Sequence, residues 1–439
     1  MRKSRSKIAF SWRTLAMLVL VALSVQGCLG LGGGNGSPKG NFKSLGGSSN
    51  LQVNSDTSFD GSIYFTNNHN LFMIDGKGNS KQLSSGVTVQ DPALSPNGKL
   101  LAFVIRYKNY SDLMMMPTSG GWNSRKTILS GKGKFTDLSN NSFYWFAQPS
   151  WAPDNEHLLF ASDLQKEYYW NRNPSYNDSG AFPDAPFLDL QIFDISIKNI
   201  PTIASEATMQ NEPGAYTNPA YAQNYAVAYA TYGYGGDLNP QFRPGSSKEF
   251  IFTHYQYDAS TGTKQQIQIA MGNTEAISKS DTSTYNPNPK GDMQTGDQPA
   301  VALSGTAKMN LMPSFSPDGS AIAFIQRDPN GVDSHLNIMS SPPSGVTNGN
   351  FHDASMKSAA IAPYNKTSVS LLTQQFISQP VWSPDGKQIA YLSYANEAFD
   401  IWIVNVKLNP KSGRYEKVGD PMQVTNGGVD GDNRLVWSR

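Results

Sequence analysis

The sequence predicts an all-β fold, a propeller of about six four-stranded blades. Three observations carry that prediction: a recurring turn motif, about four strand-like segments per recurrence, and two chain ends that are each an incomplete unit. The copies begin at prolines: PALSPNGKLLAFVI at Pro92, PSWAPDNEHLLFAS at Pro149, PQFRPGSSKEFIFTH at Pro240, PSFSPDGSAIAFIQ at Pro313 and PVWSPDGKQIAYLS at Pro380. The shared form is Pro-x-aromatic-Ser-Pro-Asp-Gly, a few polar residues, then an alternating apolar strand. The aromatic before Ser-Pro is expected to point into a core. Proline presets φ at the first central turn position, Asp bonds back to the backbone, and Gly takes the left-handed position. The unit is therefore a tight hairpin. Three copies are near-complete; Asn155 stands for Gly in the second, and the Pro240 copy keeps only Pro244 and Gly245.

A third strand follows each hairpin, at LMMMP, LDLQIFDIS, KQQIQIAMG, HLNIMSS and FDIWIVNV. A fourth follows at KTILSG, PTIAS, AVALSG, VSLLTQ and DPMQVTNG. The ends supply a further blade. NRLVWSR reads as a lone first strand, and Phe59 to Gly86 offers a second, third and fourth strand with no first. Joining the two closes a ring, which removes exposed strand edges. A seventh blade stays open at Asn218 to Gly236, where the strand-like alternation resembles a degenerate hairpin.

The chain has 439 residues, 16% of them charged, with a formal net charge of +1. That balance gives no footprint for nucleic acid. Residues 1–27 read as a signal peptide, with Arg2, Lys3, Arg5, Lys7 and Arg13 ahead of the apolar run Leu15 to Val25. The run is short for a membrane span. VQGC ends it and resembles a bacterial lipoprotein signal, with Cys28 as the lipidated residue and Gln26 as the departure from the pattern. Cys28 is the only cysteine, so no disulfide forms within the chain. Residues 28–55, rich in Gly and Ser, are expected to be a flexible tether, and 56–439 the propeller.

The Pro-x-aromatic-Ser-Pro-Asp-Gly copies, spread over roughly Asp91 to Asn426, resemble the WD40-like repeats of TolB and its relatives. The resemblance implies a six-bladed propeller in the cell envelope or at the cell surface. TolB's own partner is not carried over, because the chain lacks room for TolB's separate N-terminal domain and TolB is not lipid-anchored. Fold alone does not give function. TolB-like propellers also accompany serine peptidase domains, but no Gly-x-Ser-x-Gly elbow is present here.

In a propeller, loops between the second and third strands share one face with the links between blades. The long insertions at 163–186, 131–148 and 211–240 therefore meet on one face. They carry Trp145, Tyr168, Tyr169, Trp170, Tyr232 and Tyr234 as candidate ligand-binding aromatics. Such a surface suits a glycan or a protein partner; equally, single aromatics pack under their own loops. The expected function is a lipid-anchored, non-catalytic binding or scaffold module, held to the membrane through Cys28, with no cofactor. The alternative is a metal-dependent polysaccharide lyase or related hydrolase. It would need His69, His254 and His335, all placed at the loop end of their blades, to converge at the channel mouth. Sequence gives no catalytic residue.

Overall fold

A computed structural model describes residues 40–45, 50–132, 144–163, 190–199, 226–228, 236–257, 265–274, 300–345, 367–395 and 397–438. The chain is a β-propeller. Six sheets have four strands each and a seventh has three. Blade 1 is assembled from both ends: Val436–Ser438 is its inner strand, followed outward by Ser62–Asn67, Asn70–Asp75 and Ser80–Gln82. The split blade expected from the termini is thus present, with Trp437 paired to Ile63. Blades 2 to 6 start at Thr88–Leu94, Phe146–Trp151, Gly236–Phe242, Met309–Phe315 and Ile377–Trp382, each the inner strand of an antiparallel meander.

Six apolar clusters fill the seams between successive blades. The seam between blades 1 and 2, for example, holds Leu71, Val89, Leu101, Phe103 and Met116. The seam between blades 5 and 6 holds Ile325, Leu336, Trp382, Tyr391 and Val404. This explains a detail the sequence hides. The second strands are not half-buried alternating strands: Leu101 to Ile105 are all buried, as are Ala321 to Ile325, because a blade has a neighbour on each side.

The motif's turn chemistry is as expected. The amides of Gly98, Gly319 and Gly386 donate to the carbonyls of Ser95, Ser316 and Ser383, and these glycines have φ of 70°, 70° and 72°. Asn155 takes the same left-handed place at φ 61°. Each serine hydroxyl donates to the turn's Asn or Asp and accepts the amide that opens the next strand, as at Ser316, Asp318 and Ala321. The aromatic before Ser-Pro lies in the seam. The indole Nε1–H groups of Trp151 and Trp382 donate to the preceding blade at the Ala93 and Ser314 carbonyls, and that of Trp437 donates to the Asp60 carbonyl just ahead of the second strand of blade 1.

Two expectations change. Within Asn218 to Gly236, where the sequence leaves a seventh blade open, the described strand Ala226–Ala228 is the outer strand of blade 3, the place expected for PTIAS, which lies outside the described residues. The three-stranded sheet arises elsewhere. Phe42–Ser44 and Gln52–Asn54, inside the expected tether, pair with each other and with Thr425–Asn426. Leu51 and Val53 are buried against blades 6 and 1, so apolar burial draws this stretch into the fold despite its Gly-rich flanks. Gly40–Arg439 forms one compact unit.

Candidate functional site: the channel girdle and the loop face

The end carrying the Ser-Pro-Asp-Gly turns is called the turn face, and the opposite end the loop face. Between them runs the channel, walled by the inner strands. Each inner strand of blades 2 to 6 bulges just before the motif's first proline. The residues there are Asp91, Gln148, Asn239, Met312 and Gln379, all left-handed with φ between 50° and 56°. A side chain at φ > 0 is strained, and the strain has a use. The bulge frees the backbone amides of Gln148, Asn239, Met312 and Gln379 from the ladder, and a side chain of the preceding blade accepts each. Gln148 N–H donates to Asp91 Oδ2 at 3.0 Å, and Asn239 N–H to Gln148 Oε1 at 2.6 Å. Met312 N–H donates to Thr253 Oγ1, whose hydroxyl donates to Asn239, and Gln379 N–H approaches Met312 Sδ at 3.4 Å.

Blade 1 breaks the pattern. Aligning Trp437 with Trp382 puts Arg434 where the others have the bulge residue. Its guanidinium donates across the channel to the carbonyls of Gln148 and Pro149 at 3.3 Å and of Pro240 at 3.0 Å. Burial lowers its pKa to about 10, against the attraction of Asp91. Burial likewise pushes Asp91 up to about 6, against the pull of Arg434. The two opposite charges thus attract one another within the channel wall. A cavity of about 780 Å³ remains on the turn-face side, ringed by Pro96, Pro153, Pro244, Pro317 and Pro384.

The three candidate histidines sit in different settings. His69 is exposed in the Asn68-His69 turn, 3.7 Å from Asp430. His335 bonds Thr373 on the outer part of blade 5. His254 is buried, its Nδ1 2.7 Å from Asp237 Oδ1, with burial raising the Asp237 pKa. The structure does not bring them together, and among the described residues no group of three His, Cys, Asp or Glu is arranged to hold a metal.

Of the candidate aromatics, Trp145 is described: it is half-buried beside Asp163, with the Arg106 guanidinium 5.4 Å from its ring centroid. Tyr168, Tyr169, Trp170, Tyr232 and Tyr234 lie outside the described residues, as does Cys28. The described loop face adds aromatics that the sequence reading missed. Exposed Tyr107 stacks on Tyr110 at 4.5 Å. Exposed Phe376 lies edge-on to Tyr394 and under Arg327 at 5.8 Å. Both occupy short loop-face connections, which carry too few residues to stand out from the strands around them.

No family model matches the chain, and no curated protein matches it. Solved structures do resemble it. TolB from Acinetobacter baumannii aligns at 17% identity and a TM-score of 0.49, over 88% of this chain and 68% of that one. An oligogalacturonate lyase in complex with manganese aligns at 11% identity and 0.41, over 86% and 84%. A chain of a nidogen/laminin complex aligns at 9% identity and 0.42, over 85% and 95%. The class is a β-propeller with TolB among its structural neighbours.

Proposed function

We propose that the protein is a lipid-anchored β-propeller of the bacterial envelope or cell surface that binds a glycan or protein ligand through its loop face, without catalysis. The observation that supports this reading most is the loop face itself: Tyr107, Tyr110, Trp145 and Phe376 stand there beside Arg106 and Arg327. Flat aromatic faces next to guanidinium groups supply apolar contact and directed donors together, the pairing that recurs in recognition surfaces. Cys28 provides the membrane attachment. Two signals are usually needed for stable anchoring, and the diacylated cysteine of a lipoprotein meets that need.

The test is direct. The purified chain is applied to glycan arrays and used for cross-linking in intact envelopes, with Tyr107→Ala/Phe376→Ala as the comparison. A ligand retained by the wild type and lost by the double variant is expected. A ligand retained equally by both, or a polysaccharide cleaved on incubation, would overturn the reading. Cys28→Ser should move the protein from the membrane to the soluble fraction.

A further inference from the structure

Among the described residues, one hairpin projects beyond its neighbouring strand at the turn face. In blade 6 the strands Ala398–Asn409 and Arg414–Gln423 outlast their neighbour. Pairing to Gln388–Ala395 stops at Asn405, and the Val406 amide makes one last bond to Lys387. Beyond it Lys407 pairs only with Glu416, Leu408 with Tyr415, and Asn409 with Arg414. The overhang is about four residues long, roughly 13 Å at strand rise. It leans over the turn face: Tyr415 meets Trp382 edge-on at 5.1 Å. The tip is exposed and basic. Lys407, Lys411, Arg414 and Lys417 stand in solvent, countered by Glu416 and Asp420. Leu408 and Val418, 53% and 40% exposed, are two of the most exposed large apolar residues of the described chain.

A second observation concerns where the chain enters the fold. The Asn41 carbonyl accepts the Ser55 amide at 3.0 Å, and the Asn41 amide donates to Asp56. Ser55 packs beside Gly78, in the turn between the outer strands of blade 1. That turn lies on the turn face, because connections between third and fourth strands share the end that carries the hairpin turns. Cys28 precedes Gly40 by about twelve residues. A chain that long reaches at most about 40 Å and averages about 20 Å when Gly-rich.

We infer that the turn face is a lipid-contact surface, in which the overhanging hairpin of blade 6 lays its cations on anionic headgroups and dips Leu408 into the interface. Clustered Lys and Arg beside exposed aliphatic side chains is the composition such contacts use. The short lead from Cys28 to the same face brings the hairpin to the bilayer, and the loop face then points away from it. The orientation rests on the anchor reading; the hairpin's affinity for lipid does not.

The experiment separates the two. Residues 28–439 carrying Cys28→Ser, which cannot be acylated, are sedimented with vesicles of phosphatidylcholine alone or with added phosphatidylglycerol, at low and at physiological salt. Binding to the anionic vesicles that weakens with salt is expected. The variant Lys407→Ser/Lys411→Ser/Arg414→Ser/Lys417→Ser should bind at least ~10-fold less, and Leu408→Asp should also bind more weakly. All five positions are exposed, and circular dichroism checks that each variant is folded. No binding to anionic vesicles, or equal binding by wild type and quadruple variant, would overturn the inference. Failure of Cys28→Ser, combined with the quadruple hairpin variant, to release the full-length protein from membranes would overturn the anchor alone.

Discussion

On the turn face, Ser95, Ser316 and Ser383 make the same two hydrogen bonds in three different blades, with a left-handed Gly three residues on. On the loop face the connections between second and third strands in blades 1, 2 and 5 differ from one another. Asn68 and His69 make a tight turn in blade 1, Tyr107 stacks on Tyr110 in blade 2, and Val332 stands 61% exposed in blade 5. One end of the molecule carries a local rule that blades 2, 5 and 6 repeat. The other is free of it, and side-chain variety collects there. The channel girdle lies between, regular in five blades and replaced by an arginine in the blade that closes the ring.

Breaking the girdle at its exception should have the largest effect. Arg434→Met removes three carbonyl contacts and leaves the buried Asp91 carboxylate without its cation. A loss of about 3 kcal/mol in denaturant unfolding is expected, since a buried pair broken on one side leaves an uncompensated charge. Asp400 gives the next effect, and it depends on pH. Burial pushes its pKa up to about 6, despite bonds from the Gly428 amide and the Thr425 hydroxyl. Between about pH 4 and 6 the folded state holds a proton that the unfolded chain has lost, so this group makes stability fall as pH rises. Asp400→Asn should remove a slope of about 1.4 kcal/mol per pH unit across that window, read from unfolding at several pH values.

Within the turn rule, Ser316→Ala deprives the Ala321 amide and the Asp318 carboxylate of their partner. It should cost about 1 kcal/mol of unfolding free energy and leave ligand binding unchanged. The smallest stability effect belongs to the loop face. Tyr107→Ala is expected within about 0.5 kcal/mol of wild type in thermal unfolding, while loop-face binding drops. A Ser316→Ala chain that loses ligand, or a Tyr107→Ala chain that unfolds early, would blur the division between the faces.

The blades were legible because their turns demand particular residues. Pro384, Asp385 and Gly386 are a geometric instruction that any reader of the sequence can follow. The split blade was legible for a similar reason, since a strand carrying Trp437-Ser438 with no partner requires one. The girdle was not. Its residues stand one place before the repeated proline, where Asp, Gln, Asn and Met share a backbone conformation but no chemistry. The entry strands Phe42–Ser44 and Gln52–Asn54 were hidden by Gly-rich flanks, because their burial depends on blades hundreds of residues away. The histidines misled in the opposite sense: sequence places His69, His254 and His335 at one end of the molecule but carries no information on depth, and depth separates them.

The proposed orientation, with the turn face at the membrane and the loop face away from it, can be tested in a single measurement. Cys28 is the only cysteine, so acylated protein carrying Lys411→Cys or Lys108→Cys has one free thiol, on the turn face or the loop face. Each is labelled with a fluorophore and reconstituted into vesicles containing headgroup-quencher lipids. The label at position 411 is expected to be quenched several-fold more than the label at position 108. Equal quenching, or stronger quenching at 108, would contradict a turn face held to the membrane and a loop face presented to its ligand.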